Sequence, residues 1–159
     1  MPKSVEETKL KRIFEATNMA PSAGNLQAYR VFVIKDQAKR DALAKAAYEQ
    51  EFISEAPVCL VFCADPSRSA KRYGERGKEL YSVQDATIAG TYAMLVAADL
   101  GLATVWVGQF DDAKVQQVIG ATSVRPVAMF PLGYPAEEPS PRGRRAIEEI
   151  FSGDLPHAD

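Results

Sequence analysis

Four stretches of the chain hold the groups that could do chemistry. Pro21-Ser22-Ala23-Gly24-Asn25-Leu26-Gln27 offers one hydroxyl, two side-chain amides and a turn whose backbone N–H groups can face a ligand. Composition alone equally allows a helix-ending turn in which Asn25 caps itself. Trp106-Val107-Gly108-Gln109 ends a run of apolar residues on a bare peptide at Gly108, where something flat could approach the backbone. Gly133-Tyr134-Pro135 reads as a turn. Arg142, Arg144 and Arg145 follow a Pro-rich run. They are either a solvated basic tail or a phosphate grip, since guanidinium forks match phosphate oxygens. His157 is the one histidine and sits in a polar tail. That excludes His-based triads and His-rich zinc sites. Neither G-x-G-x-x-G nor G-x-x-x-x-G-K-[ST] occurs, so neither a Rossmann dinucleotide site nor a P-loop is supported.

The elements that must position these groups come from a chain of 159 residues, long enough for one domain with a substantial core. Hydrophobic residues make up 47% and charged residues 25%, the balance of an ordinary globular protein. A net charge of −2 gives no general attraction to nucleic acid or to an anionic membrane. The polar N-terminal stretch does not read as a signal peptide. Cys59 and Cys63 lie on one apolar run; in a strand their Cα atoms stand ~13 Å apart, too far for a disulfide. Two buried thiols and a reducing, cytoplasmic compartment are therefore expected.

Along the chain, Ser4 to Ala20 reads as a helix with an S-x-x-E capping box at Ser4 and Glu7, ended by Pro21. Ala28 to Ile34 reads as a strand, Asp36 opens a second helix that ends near Tyr48, and Val58 to Ala64 is a second strand. Asp65 to Lys78 is the least regular segment: a solvated loop or short surface helix, or a mobile lid over a site. Gln84 to Leu100 forms a helix apolar nearly all round, stopped by Gly101. A second subunit is the expected cover for it, because Asp85 and Asp99 leave too short an apolar stretch for the roughly 20 residues of a membrane span. Leu102 to Val107 reads as a short buried strand, Ala113 to Ile119 as a helix capped by Asp111 or Asp112 and stopped at Gly120. Val124 to Leu132 is a last core strand, irregular at its prolines. Helices alternating with strands make the chain α/β or α+β, with residues 1–159 as a single domain.

Taken together, Ala20 to Gln27, the Gln84 helix, Leu100-Gly-Leu, Trp106-Val-Gly108, Phe110-Asp111, Leu132-Gly-Tyr-Pro135 and Arg144-Arg-Ala-Ile-Glu-Glu149 closely resemble the nitroreductase family of FMN-dependent oxidoreductases, its short members above all. The resemblance implies an α+β, three-layer fold: a central, mostly antiparallel sheet packed by helices, in an intertwined homodimer with two FMN sites at its interface. It implies that Pro21, Ser22, Ala23, Asn25 and Gln27 touch flavin from one subunit. Trp106, Val107, Gly108 and Gln109 come from the other, with the Gly108 N–H toward flavin N5. Arg142 and Arg144 match the pair that holds the FMN phosphate, and Gln50 falls where an amide meets the pyrimidine edge. The implied activity takes hydride from NAD(P)H and passes electrons to a nitroaromatic, a quinone or a similar small acceptor in ping-pong order. A flavin carries that redox chemistry, so no protein nucleophile or metal is needed.

The sequence departs from the family at its start. The usual Arg-Arg-Ser-x-Arg-like stretch that grips phosphate has no match here, and Lys9, Lys11 and Arg12 sit at other positions. At roughly 1.5–3 kcal/mol for each charged hydrogen bond, weaker FMN binding is expected unless Arg142 and Arg144, or the basic run from Arg68 to Lys78, compensate. The competing expectation is a flavin-binding or structural dimer that has lost tight FMN binding and turnover.

Overall fold

The computed structural model describes residues 3–153. Its centre is β2 (Val58–Ala64), buried along its whole length. Alternate residues of a strand point to opposite faces. Val58, Leu60 and Phe62 therefore enter one core and Cys59, Val61 and Cys63 the other. A strand buried on both faces needs helices on both, and this gives three layers. One outer layer is α1 (Glu7–Asn18) with α5 (Ser82–Asp99). Leu10, Ile13, Ala89, Ala93 and Ala97 meet the sheet from that side. The other layer is α2 (Gln37–Ala46), the single turn α3 (Phe52–Glu55) and α6 (Asp112–Ile119). It contributes Leu43, Ile53 and Val115.

The sheet is antiparallel throughout, in the order β1 (Tyr29–Ile34), β2, β4 (Arg125–Gly133), β3 (Ala103–Thr104). The prolines of β4 make their mark. Register slips between Phe62 and Cys63, whose partners are Ala128 and Pro126, so one residue of β4 is bulged out. Both cysteines are free and buried, and burial pushes each thiol up to about 12. They are packing residues, as their spacing predicts.

Most boundaries follow the local chemistry. The Asp36 carboxylate accepts from Lys39 N at 2.9 Å and starts α2; Asp111 accepts from Lys114 N at 3.1 Å and starts α6. Gly101 follows α5 at φ 71°, a left-handed stop that only glycine adopts cheaply. Two expectations need correction, and one open alternative is decided. The capping box at Ser4 and Glu7 does not form: Glu6 is the N-cap, in extended conformation, and α1 starts at Glu7. The Glu6 carboxylate instead accepts from the Tyr134 hydroxyl at 2.7 Å. That bond, more than any other, holds the carboxyl below the usual carboxylate range. Of the readings open for the segment after β2, the surface helix is the one that forms, with a kink at Gly74. It is α4 (Pro66–Arg76), capped by Asp65 and carrying Pro66 in its first turn, and Gly77–Tyr81 winds it into α5. The run Leu102 to Val107 is not a buried strand. Only Ala103 and Thr104 pair with β4, Val107 makes one isolated bridge, and Val105 and Trp106 stand exposed. It lies at the sheet edge, where one side has no neighbour.

α5 is the long central helix, and its burial is one-sided. Small residues (Ala86, Ala89, Gly90, Ala93, Ala97) face the sheet, while Tyr92 and Leu95 are exposed at 37% and 66%. Among the described residues no helix is long and apolar enough to cross a membrane. His157 lies outside the described residues.

Candidate functional site

The turn after α1 is held by a group that was not among the expected site residues. Asp85 is 2% exposed on the inner face of α5. One carboxyl oxygen accepts from Ala23 N at 2.9 Å, the other from Ala28 N at 3.2 Å. It closes both ends of the loop with one side chain. Ser22 Oγ accepts from Gln27 N at 2.9 Å, and Asn25 Oδ1 accepts from Gln27 Nε2 at 3.2 Å. Among the described residues these bonds leave the Ser22 hydroxyl hydrogen, the Asn25 amide hydrogens and the Gln27 side-chain carbonyl without partners. The signal for Asp85 was a lone acid in an otherwise apolar stretch. Such a group is buried only when hydrogen-bonded.

The loop is also strained. Gly24 has φ 56°, and its neighbours Asn25 and Gln27 have φ 56° and 50°. Asn tolerates this region; Gln does so poorly. The other non-glycine residues with positive φ among the described residues are Tyr48 and Glu49, at 57° and 63°. Both stand beside Gln50. All four left-handed side chains therefore fall at or next to expected site residues. At ~1–3 kcal/mol each, such strain persists where surrounding structure over-determines it, as it does at ligand sites.

Two cavities gather the expected residues. The first, about 520 Å³, is lined by Pro21, Ser22 and Ala23 from the loop, Tyr81 before α5, and Gln84, Asp85 and Ile88 on it. The second, about 310 Å³, is lined by Tyr48, Gln50, Trp106, Val107, Gly108 and Gln109. Gln50 Nε2 donates to Ala47 O at 2.9 Å and, at 3.5 Å, reaches Gln109 O. Val107 exchanges two bonds with Met129, at 3.0 and 2.9 Å, which fixes the peptides on either side. The Trp106 ring packs on Phe130 with centroids 5.1 Å apart. A Cβ on Gly108 would come within 3.1 Å of Trp106 Nε1, so the peptide is bare because its neighbour needs the space.

Within one chain the two cavities share no lining residue. Gln50 and residues 106–109 come together; residues 21–27 form a separate group. Arg142 and Arg144 join neither. They lie on an exposed tail, where among the described residues Arg144 Nη1 donates only to Arg142 O and Gly143 O, at 3.4 and 3.3 Å. Gly133-Tyr134-Pro135 plays a structural part. The Tyr134 hydroxyl accepts from Lys9 Nζ at 3.1 Å, so the end of β4 is tied to α1. Among the described residues no cluster of three or more His, Cys, Asp or Glu could hold a metal ion.

The comparisons with known proteins show the family and the fold. The Nitroreductase family model matches residues 1–51 and 45–134. The NADH dehydrogenase of Thermus thermophilus is 32% identical over 92% of this chain and 85% of its own. The Bacillus subtilis FMN reductase (NAD(P)H) is 32% identical over 92% of this chain, which spans 64% of that longer protein. Among solved structures, Bacillus megaterium NfrA2 superposes with a TM-score of 0.87 at 26% identity, covering 96% of this chain and 67% of its own. A family match over most of the sequence, with the same three-layer α+β fold beneath it, makes the chain a member of the nitroreductase family.

Proposed function

We propose that this protein is an FMN-dependent oxidoreductase, a single domain over residues 1–159. It takes reducing equivalents from NAD(P)H and delivers them to a nitroaromatic, a quinone or a similar small acceptor in ping-pong order. Bound FMN supplies the redox chemistry. The chain supplies position and polarity. Ser22 and Asn25 present donors to ring carbonyls, and the Gln27 amide reads a polar ring edge. The bare Gly108 peptide presents an N–H toward N5 without adding a titrating group. Gln50 lies against the pyrimidine edge, with Pro21, Ala23, Trp106, Val107 and Gln109 closing the ring plane. Arg142 and Arg144 hold the phosphate.

The single observation that carries this reading is the split site: two cavities in one chain, one lined by Pro21, Ser22 and Ala23 and the other by Gln50 and residues 106–109, each with left-handed backbone close by in sequence. A homodimer that sets the loop of one copy against Gly108 of the other makes one site from both. Exposed apolar side chains support the same assembly. Tyr92 and Leu95 on α5, Phe14 on α1, and Ile147, Ile150 and Phe151 on the tail lack intramolecular cover. A tail with exposed large apolar groups is well suited to wrap a partner and carry its arginines there.

The test is calorimetric titration with FMN, beside a visible spectrum before and after NAD(P)H. Binding in the micromolar range or tighter, and a yellow colour bleached by NAD(P)H, are expected. Replacing Arg142 and Arg144 together by Ala should weaken FMN at least about tenfold, since two charged contacts at ~1.5–3 kcal/mol each are lost. Absence of heat at high micromolar FMN would favour the structural dimer instead, and unchanged affinity in the double variant would place the phosphate elsewhere.

A further inference from the structure

α4 is the most basic element beside the first cavity, and its cations have no carboxylate to answer them. Arg68, Lys71, Arg72 and Arg76 form no ion pair among the described residues; the one cation of this region that does is Lys78, with Glu75 and Glu79. Arg68 and Arg72 are four apart and share one helix face. That face covers the Ser22–Gln27 loop. Arg68 Nε donates to the Leu26 carbonyl. A Cβ on Gly24 would stand 2.9 Å from Arg72 Nη1 and 2.5 Å from the Tyr73 hydroxyl oxygen. Gly74, at φ 56° and ψ −142°, then breaks the helix and turns the chain back toward the cavity. There Arg76 Nε donates at 3.0 Å to the hydroxyl of Tyr81, a cavity-lining residue.

Three guanidinium groups thus flank the loop and the cavity without a charged partner: Arg68 is bonded to the Leu26 carbonyl, Arg72 stands beside Gly24, and Arg76 is bonded to the phenol of a cavity-lining tyrosine. A guanidinium has five N–H donors, and one bond each leaves the fork of Arg68 and of Arg76 largely unused. The acid in that wall, Asp85, forms no ion pair with them among the described residues; its oxygens accept from backbone N–H groups. Cations fixed without counter-charge beside a cavity fit a dianionic ligand, and planar forks fit phosphate. We propose that this arginine rim binds a phosphate monoester carried by a redox ligand of the cavity. The inference rests on the oxidoreductase reading above. Two ligands of that reading carry such a group: FMN, and NADPH, through the phosphate that NADH lacks.

Each source has a partner without the phosphate, and that makes the test decisive. With the full-length protein, FMN and riboflavin affinities are measured by flavin fluorescence quenching, and KM for NADPH and NADH by steady-state oxidation. The variants are Arg68→Gln/Arg72→Gln and the single Arg72→Gln. The single variant removes a group that makes no hydrogen bond among the described residues, so it keeps the Arg68–Leu26 contact and the fold. Arg72→Lys tests whether charge alone suffices. In the double variant, a loss of at least tenfold for FMN with less than twofold for riboflavin assigns the rim to the flavin phosphate. The same contrast between NADPH and NADH assigns it to the reductant. A parallel loss in both members of each pair, or no change in either pair, overturns the proposal while leaving a wild type that binds FMN and oxidises NAD(P)H intact. A wild type that takes up no flavin overturns both readings.

Discussion

Replacing Asp85 by Ala is expected to empty the flavin site and to cost ~2–5 kcal/mol of stability, because two backbone N–H groups, of Ala23 and Ala28, lose their acceptors at about 1–3 kcal/mol each. Ala28 is fully buried, so water cannot replace the carboxylate there. Near the midpoint each kcal/mol moves the melting temperature of a chain this size by ~2–4 °C, so a fall of roughly 5–15 °C is expected. The loop then loses the clamp that keeps Gly24, Asn25 and Gln27 in their left-handed conformations, and it relaxes toward cheaper backbone angles. FMN affinity should drop at least a hundredfold. Asp85→Asn should be milder, since its one oxygen still accepts while its NH2 group faces the second donor. Melting followed by circular dichroism, with a flavin titration on the same sample, checks both effects. A variant that melts within a degree of the wild type and binds FMN equally well would show that the loop is held by something else.

Gly90→Val is the second large effect, and it reaches the other half-site. Gly90 is buried on α5, and a Cβ there would lie 2.8 and 2.9 Å from two ring carbons of Phe130. Phe130 has little room to move. It is 1% exposed and packed against the rings of Phe62, at 4.9 Å, and Trp106, at 5.1 Å. Overpacking of this kind costs typically about 1–3 kcal/mol, which outweighs the ~0.3 kcal/mol that valine gains over glycine in helix propensity. The displacement passes from Phe130 to Trp106 and so to the Gly108 peptide. The expected result is a melting temperature lower by roughly 3–12 °C together with weakened flavin binding. Loss of stability with unchanged FMN affinity would show that Trp106 does not depend on this packing.

How far the sequence reaches can be judged from these two residues. The continuous apolar run of β2, the caps at Asp36 and Asp111, and the glycine stop after α5 were legible because each is a local rule satisfied locally. So were the loop at Pro21 and the peptide at Gly108, through their resemblance to one family. Asp85 was visible as an interruption, but its role was not, because its partners are backbone N–H groups some sixty positions away in the chain. The burial of α5 was misleading for a related reason. A helix apolar all round has no preferred face, and the deciding feature is residue size: alanines and Gly90 let it approach β4 closely, leaving Tyr92 and Leu95 outside. The run after Gly101 had strand-forming residues but sits at a sheet edge, which no local pattern reveals. The stretch before α5 left a loop and a surface helix both open, because its glycines and its few apolar residues mark no core-facing stripe.

The central claim is that each redox site is shared by two copies of the chain, and complementation between two defective chains tests it most directly. Asn25→Phe blocks the loop half and Gly108→Phe blocks the peptide half. Each homodimer carries one defect in every site. In a freely exchanged equal mixture of the two chains, symmetric pairing predicts that about a quarter of sites combine two intact halves. Bound FMN and NAD(P)H oxidation should therefore return to about a quarter of the wild-type level on mixing, a gain absent from either variant alone. If both halves of a site came from one chain, every site would still carry a defect after mixing, and no recovery in demonstrably exchanged dimers would contradict the account.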